Sequence, residues 1–396
     1  MKTLLLARPD HSTFLYEGLR NNPKIDIKYH TFSAFKKNSL LNKWMPSVKS
    51  VNQEAEISYA FTVFHRMLYE LQKNFNFDYY EKENQIAEYY FNKILKKCDG
   101  KIDIIHYWSI YCHQSVRDFQ RLNPQTKFIA DVYAAHPDYV REIIEPEFDK
   151  YGLSVENSHF IKSRNRDIAS LEGVENMIVP SQYTAETYQK YYPNTKIFTA
   201  SYGLFNCNKN STKSSERAFI EPLRLVFVGN ISIEKGCIYL LEALKKLLNS
   251  NVQLDLIGEI DKHQIDIFKP YFNLKNVRFL GKLPNLKILE ILPNYHVFAL
   301  PSLSDAYSLA VSEALVCKLP VIITENVGSK DDVRKFDIGK VCQVKNTDSI
   351  IKAILSLQNE DYRQYLSKNI ANFIEDNKQN SYASKVLKVY NQLLTN

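Results

Sequence analysis

Two carboxylates, Asp305 and Glu313, lie eight positions apart in a stretch that is otherwise apolar. Residues 301–322 read PSLSDAYSLAVSEALVCKLPVI. This pattern predicts a strand that ends at the Pro-Ser pair, a short loop, and a buried helix that begins near Ser308. A buried carboxylate needs compensation, and the hydroxyl groups of a sugar can supply it by donating hydrogen bonds.

The predicted start of this helix is a candidate anion site. Ser308 is a suitable N-cap, and the backbone amides that follow, from Leu309 onward, then have no partner within the helix. Such amides can hold a diphosphate. Glu313 lies four residues past Leu309, and its side chain leans back toward the same end of the helix. The spacing also fits a loop Asp and a half-buried helix Glu that bind nothing.

A second motif, VFVGNISIEKGCIYLLEAL at 226–244, predicts a strand, a loop and a helix. The strand ends at Gly229, where the backbone can approach a ligand closely. Lys235 stands at the start of the helix, where it would give a phosphate oxygen a positive charge. The alternative is a solvated lysine beside a tight turn. Together, the two motifs supply a cation, free amides and two carboxylates, which suits a sugar linked to a nucleoside diphosphate.

Short apolar runs that alternate with helical stretches predict the elements that hold these residues. The predicted strands are 3–8, 26–32, 103–109, 127–133, 176–181 and 196–203, then 223–230, 252–259, 277–283, 296–302, 320–326 and 339–344. Near-continuous apolar strands separated by helices are typical of parallel sheets covered on both faces. The fold class is therefore α/β, with two doubly wound Rossmann-like domains that face each other across a cleft.

The same pattern predicts the domain boundaries. They are an N-terminal domain at 1–205 with a helical insert near 50–98, a polar linker at 206–222, a C-terminal domain at 223–375, and a last segment at 376–396 that packs back on the N-terminal domain. Two domains suit a chain of 396 residues.

Composition narrows the functional class. Hydrophobic residues make up 45% of the chain and charged residues 24%, and the net charge of +7 does not demand nucleic acid. Six scattered cysteines favour a reducing compartment. The N-terminus lacks a signal-peptide core, and no window has the roughly 18 apolar residues of a membrane span. We expect a cytoplasmic protein that can also associate peripherally with a membrane face.

The C-terminal half resembles a GT-B glycosyltransferase of the large retaining family four. The family has Gly-Arg and Lys-Gly motifs, then a Gly in a second strand, then "flG" in a third, and last a Glu-x7-Glu motif. This chain has, in the same order, GNISIEKG, LIGE, RFLGKL and PSLSDAYSLAVSEALVCKLPVI. The resemblance covers about 223–345 strongly. It extends weakly over the N-terminal half through IIHYWS, KFIADVYAAHP, MIVPSQYTAETY and ASYGLF.

The resemblance implies a role for each matched residue. Lys235 would neutralise the leaving diphosphate, and amides around Ser308 and Leu309 would bind it. Glu313 would hold the ribose hydroxyls, and Asp305 those of the donated sugar. The remaining implied donor contacts are the loop at Gly229 and Asn230 and the backbone near Leu283, which would border the base. His136 would lie over the sugar, although a His at this strand end also suits a cap for the loop before Pro137.

This chain departs from the family pattern at three places. Asn230 stands where the family commonly has Arg, and Arg8 in the N-terminal domain is a candidate substitute. Asp305 replaces the first Glu of the pair, which shortens its reach by roughly 1.5 Å. The loop ARPDHSTF stands where a glycine-rich loop is usual.

The resemblance implies sugar transfer with retention of configuration, no metal and no cofactor besides the nucleotide-sugar donor, with UDP and GDP both open. The leaving phosphate oxygen would help to remove the proton of the acceptor hydroxyl. The acceptor is expected to be a glycan or a lipid-linked sugar of bacterial surface polysaccharide synthesis. The basic and aromatic stretch 28–49, with Lys36, Lys37 and Lys43, suits an anionic membrane. The alternatives are a sugar-nucleotide-binding subunit without catalysis, and an epimerase or a phosphorylase of the same fold.

Overall fold

The near-continuous apolar strands form two parallel sheets. The computed structural model describes residues 1–8, 11–31, 34–36, 49–51, 55–57, 59–71, 79–98, 102–158, 164–204 and 222–395. Within these residues the first sheet has seven strands in the order β5-β2-β1-β6-β7-β8-β9, and every pairing is parallel. Its strands are β1 (Lys2–Leu6), β2 (Asp26–Thr31), β5 (Glu56–Ile57), β6 (Ile104–Trp108), β7 (Lys127–Asp131), β8 (Asn176–Val179) and β9 (Lys196–Thr199). A separate pair is β3 (Ala34–Lys36) with β4 (Lys49–Val51).

Helices follow these strands as the alternation predicts. They are α1 (His11–Leu19), α2 (Tyr59–Leu71), α3 (Tyr79–Leu95), α4 (Ser109–Leu122), α5 (Pro137–Asp149), α6 (Arg164–Ala169) and α7 (Gln182–Gln189), with a 3-10 turn at Val155–Asn157. Helices α2 and α3 fall in the stretch 50–98, where the sequence predicts a helical insert.

The second sheet has six parallel strands in the order β12-β11-β10-β13-β14-β15. They are β10 (Leu223–Val228), β11 (Val252–Ile257), β12 (Val277–Gly281), β13 (Val297–Leu300), β14 (Val321–Thr324) and β15 (Gly339–Cys342). Every residue of β13 and β14 is buried, as expected for central strands covered on both faces. The predicted fold class, two doubly wound α/β domains, is confirmed.

The helices of the second domain are α8 (Cys237–Lys246), α9 (Ile265–Phe268), α10 (Asn285–Ile291), α11 (Leu309–Val316), α12 (Lys330–Phe336), α13 (Thr347–Ser356) and α14 (Glu360–Gln379), with 3-10 turns at Lys269–Tyr271 and Leu292–Asn294. The last helix, α15 (Tyr382–Thr395), packs on α1, where Gly18 leaves room for Ala383. Its Tyr390 joins the core of the first domain. Apart from residue 222, the predicted linker lies outside the described residues, and the domain boundaries stay predictions.

The two domains contact each other through α5. Buried Ile144 and Phe148 of this helix form one apolar cluster with Ile233 and Leu303 of the second domain. Beside them, the Glu147 carboxylate accepts hydrogen bonds from Tyr239 and from Lys150, and its Oε1 lies 3.2 Å from Lys345 Nζ. Burial raises the pKa of Glu147, but the hydrogen bonds from Lys150, Tyr239 and Lys345 outweigh it and lower that pKa below its usual value. The second domain's loops at 231–235 and 301–305 therefore lie against the first domain.

Candidate functional site

The loop that carries Lys235 is fixed by its own backbone and by the neighbouring strand end. The carbonyl of Glu234 accepts a hydrogen bond from the Leu303 amide at 2.8 Å. Gly236 caps α8 in the left-handed region, with φ of 70°. A β-carbon there would overlap the Pro301 carbonyl oxygen. The sequence therefore needs glycine at this position to bring the Lys235 loop against the end of β13.

Lys235 and Asp305 meet at this junction. Lys235 Nζ lies 2.8 Å from Asp305 Oδ2, and the two side chains are 24% and 11% exposed. The segment that follows β14 holds the loop of Asp305 in place. The Asp305 amide donates a hydrogen bond to Asn326 O, and the Asp305 carbonyl accepts one from Gly328 N. A cation and a carboxylate that keep contact with solvent can exchange this ion pair for the phosphate and hydroxyl groups of a ligand.

The predicted helix start is present, and its cap is three residues beyond Asp305. Ser308 is the N-cap of α11, and its Oγ accepts from the Val311 amide at 3.4 Å. Leu309, the first helical residue, is 53% exposed, so the open end of the helix faces solvent. One turn on, Glu313 Oε1 accepts a hydrogen bond from Asn285 Nδ2 at 2.9 Å. Asp305 and Glu313 thus lie on either side of the start of α11, one in the loop before it and one a turn into the helix.

Two residues of the first domain touch the same loop. The carbonyl of Ala306 accepts from Ser181 Oγ at 2.8 Å, and Tyr183 donates to Ser304 Oγ at 2.7 Å. Both residues lie at the start of α7, which follows the strand end of β8. The carboxyl ends of the two sheets therefore meet at the Asp305 loop, where ligands bind in folds of this type.

The other predicted donor residues lie around this region without a shared hydrogen bond. Gly229 has φ of 148°, which suits the glycine there, and Asn230 beside it is exposed. Leu283 packs, partly buried, against the core of the second domain between β12 and α10. Their contacts with a nucleotide stay predictions.

Arg8 makes its described contacts inside the first domain. Its Nη1 donates to Tyr111 Oη at 2.9 Å and lies 3.2 Å from Oε1 of buried Glu83. No described contact joins it to Lys235, so its role as a second diphosphate cation stays a prediction.

His136 has the capping role that the sequence left as an alternative. It is the N-cap of α5, its Nδ1 accepts from the Asp138 amide at 3.2 Å, and its ring stacks on Tyr191 at 3.9 Å between centroids. Burial lowers its pKa to about 4. None of these contacts brings His136 to Asp305, so its place over a donated sugar stays a prediction.

Sequence reasoning missed Asn285 and Ser181, which contact Glu313 and the Asp305 loop. Both follow the carboxyl end of a strand, and that position is the only sequence signal that marks them. Among the described residues, no group of three His, Cys, Asp or Glu side chains is arranged to hold a metal ion. Within the same residues, no helix combines the length and the apolar character needed to cross a bilayer.

Comparison with known proteins gives matches both in sequence and in fold. Residues 208–373 match the family "Glycosyl transferases group 1". An N,N'-diacetylbacillosaminyl-diphospho-undecaprenol alpha-1,3-N-acetylgalactosaminyltransferase of Campylobacter jejuni is 26% identical over 151 residues, which are 38% of this chain and 40% of that protein. A UDP-Gal:alpha-D-GlcNAc-diphosphoundecaprenol alpha-1,3-galactosyltransferase of Escherichia coli is 29% identical over 153 residues, 37% of this chain and 39% of that protein. The chain thus spans less than half the length of these relatives.

The likeness in fold covers the whole chain. Sucrose-phosphate synthase from Thermosynechococcus elongatus superposes with a TM-score of 0.65 at 16% identity, over 100% of both chains. The two domains and their cleft therefore have the GT-B architecture of glycosyltransferases. The match of residues 208–373 to glycosyl transferases group 1 confirms, for this part of the chain, the resemblance drawn from the motifs.

Proposed function

We propose that this protein transfers a hexosyl group from a nucleoside-diphosphate sugar to a lipid-linked or glycan acceptor in bacterial surface polysaccharide synthesis. The observation that carries the proposal is the Lys235–Asp305 ion pair beside the open end of α11. The pair supplies one group for a diphosphate and one for sugar hydroxyls, and both keep contact with solvent.

The donor site follows from the chemistry of each group. The diphosphate binds Lys235 Nζ and the first amides of α11, because a cation and a helix N-terminus both favour negative charge. Asp305, released from Lys235, accepts hydrogen bonds from hydroxyls of the hexose. Glu313 accepts them from the ribose, with Asn285 holding one of its oxygens. Negative charge develops on the leaving diphosphate as its bond to the sugar breaks. Preorganised donors stabilise this charge in the transition state and so lower the activation free energy of transfer.

The acceptor class is supported by the relatives. The two transferases from Campylobacter jejuni and Escherichia coli are named for sugars carried on diphosphoundecaprenol. A diphospholipid-linked sugar is therefore the acceptor we propose. We further propose retention at the anomeric carbon, as the resemblance implies, and that Lys235 with the α11 amides stabilises the diphosphate without a metal ion.

Such an acceptor places the protein at the cytoplasmic membrane face. Within the stretch 28–49, residues 29–31 are buried in β2, so the surface proposed for that contact is the remainder of the stretch, which contains the three lysines. Lys37 and Lys43 lie outside the described residues, and Lys36 ends the short strand β3. Replacing all three lysines by Ala is expected to reduce binding to vesicles that contain phosphatidylglycerol. Unchanged sedimentation with these vesicles would remove this surface from the proposal.

A second candidate is a sugar-nucleotide-binding subunit without catalysis. Asn230 favours it, because this exposed residue stands where the resemblance calls for a second diphosphate cation. The two candidates share the donor site and differ in turnover.

Calorimetry against UDP and GDP, followed by a transfer assay, tests the proposal. The assay uses UDP-galactose, UDP-N-acetylglucosamine and GDP-mannose with a short-chain polyprenyl diphosphate that carries one N-acetylhexosamine. Binding of one nucleotide with product formation supports the transferase. Binding without transfer or donor hydrolysis supports the silent subunit. Absence of binding to either nucleotide overturns both.

A further inference from the structure

Helix α2 carries a row of exposed apolar side chains on one face. Phe64, Met67 and Leu71 are 50%, 55% and 43% exposed. Because successive residues of a helix are about 100° apart, these three positions fall within a sector of about 60°. Among the described side chains, every other helix exposes at most one large apolar side chain. Single exposed apolar residues are ordinary on a protein surface, whereas a row of three marks a surface that contacts a partner.

The opposite face of α2 is fixed to the protein through Thr62. This residue is 1% exposed, and its Oγ1 donates to Ala34 O at 3.0 Å and accepts from the Ala34 amide at 3.3 Å. Counted from Thr62, the positions of Phe64, Met67 and Leu71 lie about 140–200° around the helix axis. The apolar row therefore faces away from β3. This is the reverse of the usual orientation, in which the apolar stripe of a surface helix faces the core.

The place of α2 in the fold puts its start at the cleft edge of the first sheet. The helix begins at Tyr59, two residues after Ile57 ends β5, and β5 is the outermost strand of that sheet. Since β5 runs parallel to β2, its carboxyl end lies at the same edge as those of the other strands. Ligands of open α/β sheets bind at this edge.

The chain segment next to α2 is strongly basic. Residues 28–49 contain five lysines and no Asp or Glu. Lys36 and Lys49 belong to the paired strands β3 and β4, and β3 contacts α2. Two copies of such a surface repel each other, whereas an anionic surface attracts it. Apolar side chains flanked by basic residues are the combination that binds the headgroup region of a membrane with anionic lipids.

We propose that Phe64, Met67 and Leu71 insert into the headgroup region of the cytoplasmic membrane, with α2 lying along its surface. The inference rests on the proposed function, because the proposed acceptor is carried on a membrane diphospholipid. It adds an apolar contact to the electrostatic contact of the lysines in 28–49. Three apolar side chains on a helix of 13 residues suit reversible attachment to the interface and are far too few for a membrane span.

The apolar and the electrostatic contact differ in their response to salt. Attraction between lysines and anionic lipids is screened as the ionic strength rises. Burial of apolar surface in the bilayer is not screened. Vesicle binding that survives at high salt therefore measures the contribution of the α2 row, and the salt-sensitive part measures that of the lysines.

The test compares two triple variants of the protein. The first carries Phe64→Gln, Met67→Gln and Leu71→Gln, and Gln is chosen because its helix propensity is high. The matched control changes three leucines that are exposed singly on α4, α13 and α15 to Gln, namely Leu122, Leu355 and Leu394. The readout is sedimentation with vesicles of equal parts phosphatidylglycerol and phosphatidylcholine, at low and at high salt.

At high salt, the α2 variant should bind these vesicles at least about tenfold more weakly than the wild type, because it has lost the apolar area that the bilayer buries. The control variant should match the wild type. Calorimetry with the nucleotide should give the same Kd for all three proteins, since α2 has no part in the donor site.

Four outcomes separate this inference from the proposed function. High-salt binding of the α2 variant within twofold of the wild type overturns the inference and leaves the donor site untouched. Wild-type binding that vanishes at high salt also overturns it. Absence of vesicle binding, with a concentration-dependent dimer that the α2 variant loses, assigns the row to a second copy of the chain and overturns the membrane contact. Loss of nucleotide binding by the wild type overturns the proposed function, whereas the vesicle result stands.

A single variant decides if circular dichroism shows that the triple variant does not fold. Met67→Gln changes the most exposed side chain of the row and leaves the anchor at Thr62 in place. It should weaken vesicle binding at high salt by about threefold. An unchanged affinity overturns the inference.

Discussion

The second-domain loop site and a first-domain cluster of His11, His106 and Asp131 hold their charges in opposite ways. Lys235 and Asp305 form one ion pair that keeps contact with solvent. Asp131 is enclosed and receives hydrogen bonds from two histidines. Charges that must bind a ligand can stay exchangeable, whereas a charge that only orients a neighbour can be fixed by burial. The two sites should therefore respond differently to mutation, one through activity and the other through stability.

The largest effect on stability is expected at Asp131. Asp131→Asn removes the carboxylate that two imidazoles share, and breaking a buried charged network by removing one partner typically costs about 3–5 kcal/mol. Urea unfolding followed by circular dichroism measures it. The control is Asp118→Asn, at a side chain that is 52% exposed. A loss below 1 kcal/mol would show that the cluster is not held by this charge.

Lys235→Ala, in contrast to Asp131→Asn, should reduce activity strongly and change stability little. Its ion pair is partly solvated, so the free energy of unfolding should change by less than about 1 kcal/mol. Transfer should fall by about 10²–10³-fold, because a preorganised group that faces the leaving diphosphate is lost. The initial rate of nucleotide release measures this loss. Lys245→Ala, at an exposed lysine on α8, is the matched control. Equal rates for the two variants would contradict the role of Lys235.

Asn285→Ala tests whether the hydrogen bond from Asn285 to Glu313 contributes to nucleotide binding in the second domain. Its amide fixes one Glu313 oxygen at 2.9 Å in an exposed pair. Loss of this single hydrogen bond should weaken nucleotide binding by about three- to tenfold, or about 1 kcal/mol. Calorimetry with the nucleotide measures the Kd, and Asn294→Ala, at an exposed residue just after α10, serves as control. An unchanged Kd would separate Asn285 from the ribose site.

The smallest expected effect concerns His136 and pH. Burial lowers its pKa to about 4, below its value of 6.5 in the unfolded chain. The unfolded state thus binds the proton more readily, and stability should fall as pH drops through 6.5 toward 4. Between pH 8 and pH 6 this amounts to about 1 kcal/mol. His136→Gln should flatten that part of the unfolding profile, and His263→Gln, at an exposed loop histidine, should not. Parallel profiles for wild type and His136→Gln would contradict a buried, neutral His136.

The sequence predicted the strand ends and the helix start of the second domain because the residues that mark them are close together in the chain. Apolar strands followed by glycine or Pro-Ser predicted β10 and β13, and Ser308 stands where a cap is needed to start α11. The approach of Lys235 to Asp305 joins residues 70 positions apart. It was expected only in outline, because both residues follow carboxyl ends of strands in one parallel sheet.

The sequence predicted fewer of the side-chain contacts in the first domain because the residues that make them are far apart in the chain. His11 and Asp131 are 120 residues apart, and no spacing marks them as partners. His136, by contrast, stands before Pro137 at a helix start, where a cap and a ligand contact look alike. Only burial and packing on Tyr191 separate the two interpretations. Side-chain environments of this kind depend on tertiary packing, which a single sequence does not encode locally.

The most direct test of the proposed donor site is calorimetry of the purified protein with UDP and with GDP, each repeated with Lys235→Ala and Lys245→Ala. We expect that one nucleotide binds, that Lys235→Ala weakens this binding by at least tenfold, and that Lys245→Ala leaves it unchanged. Binding that is equally strong in both variants, or no binding of either nucleotide to the wild type, would contradict a diphosphate site between Lys235 and the start of α11.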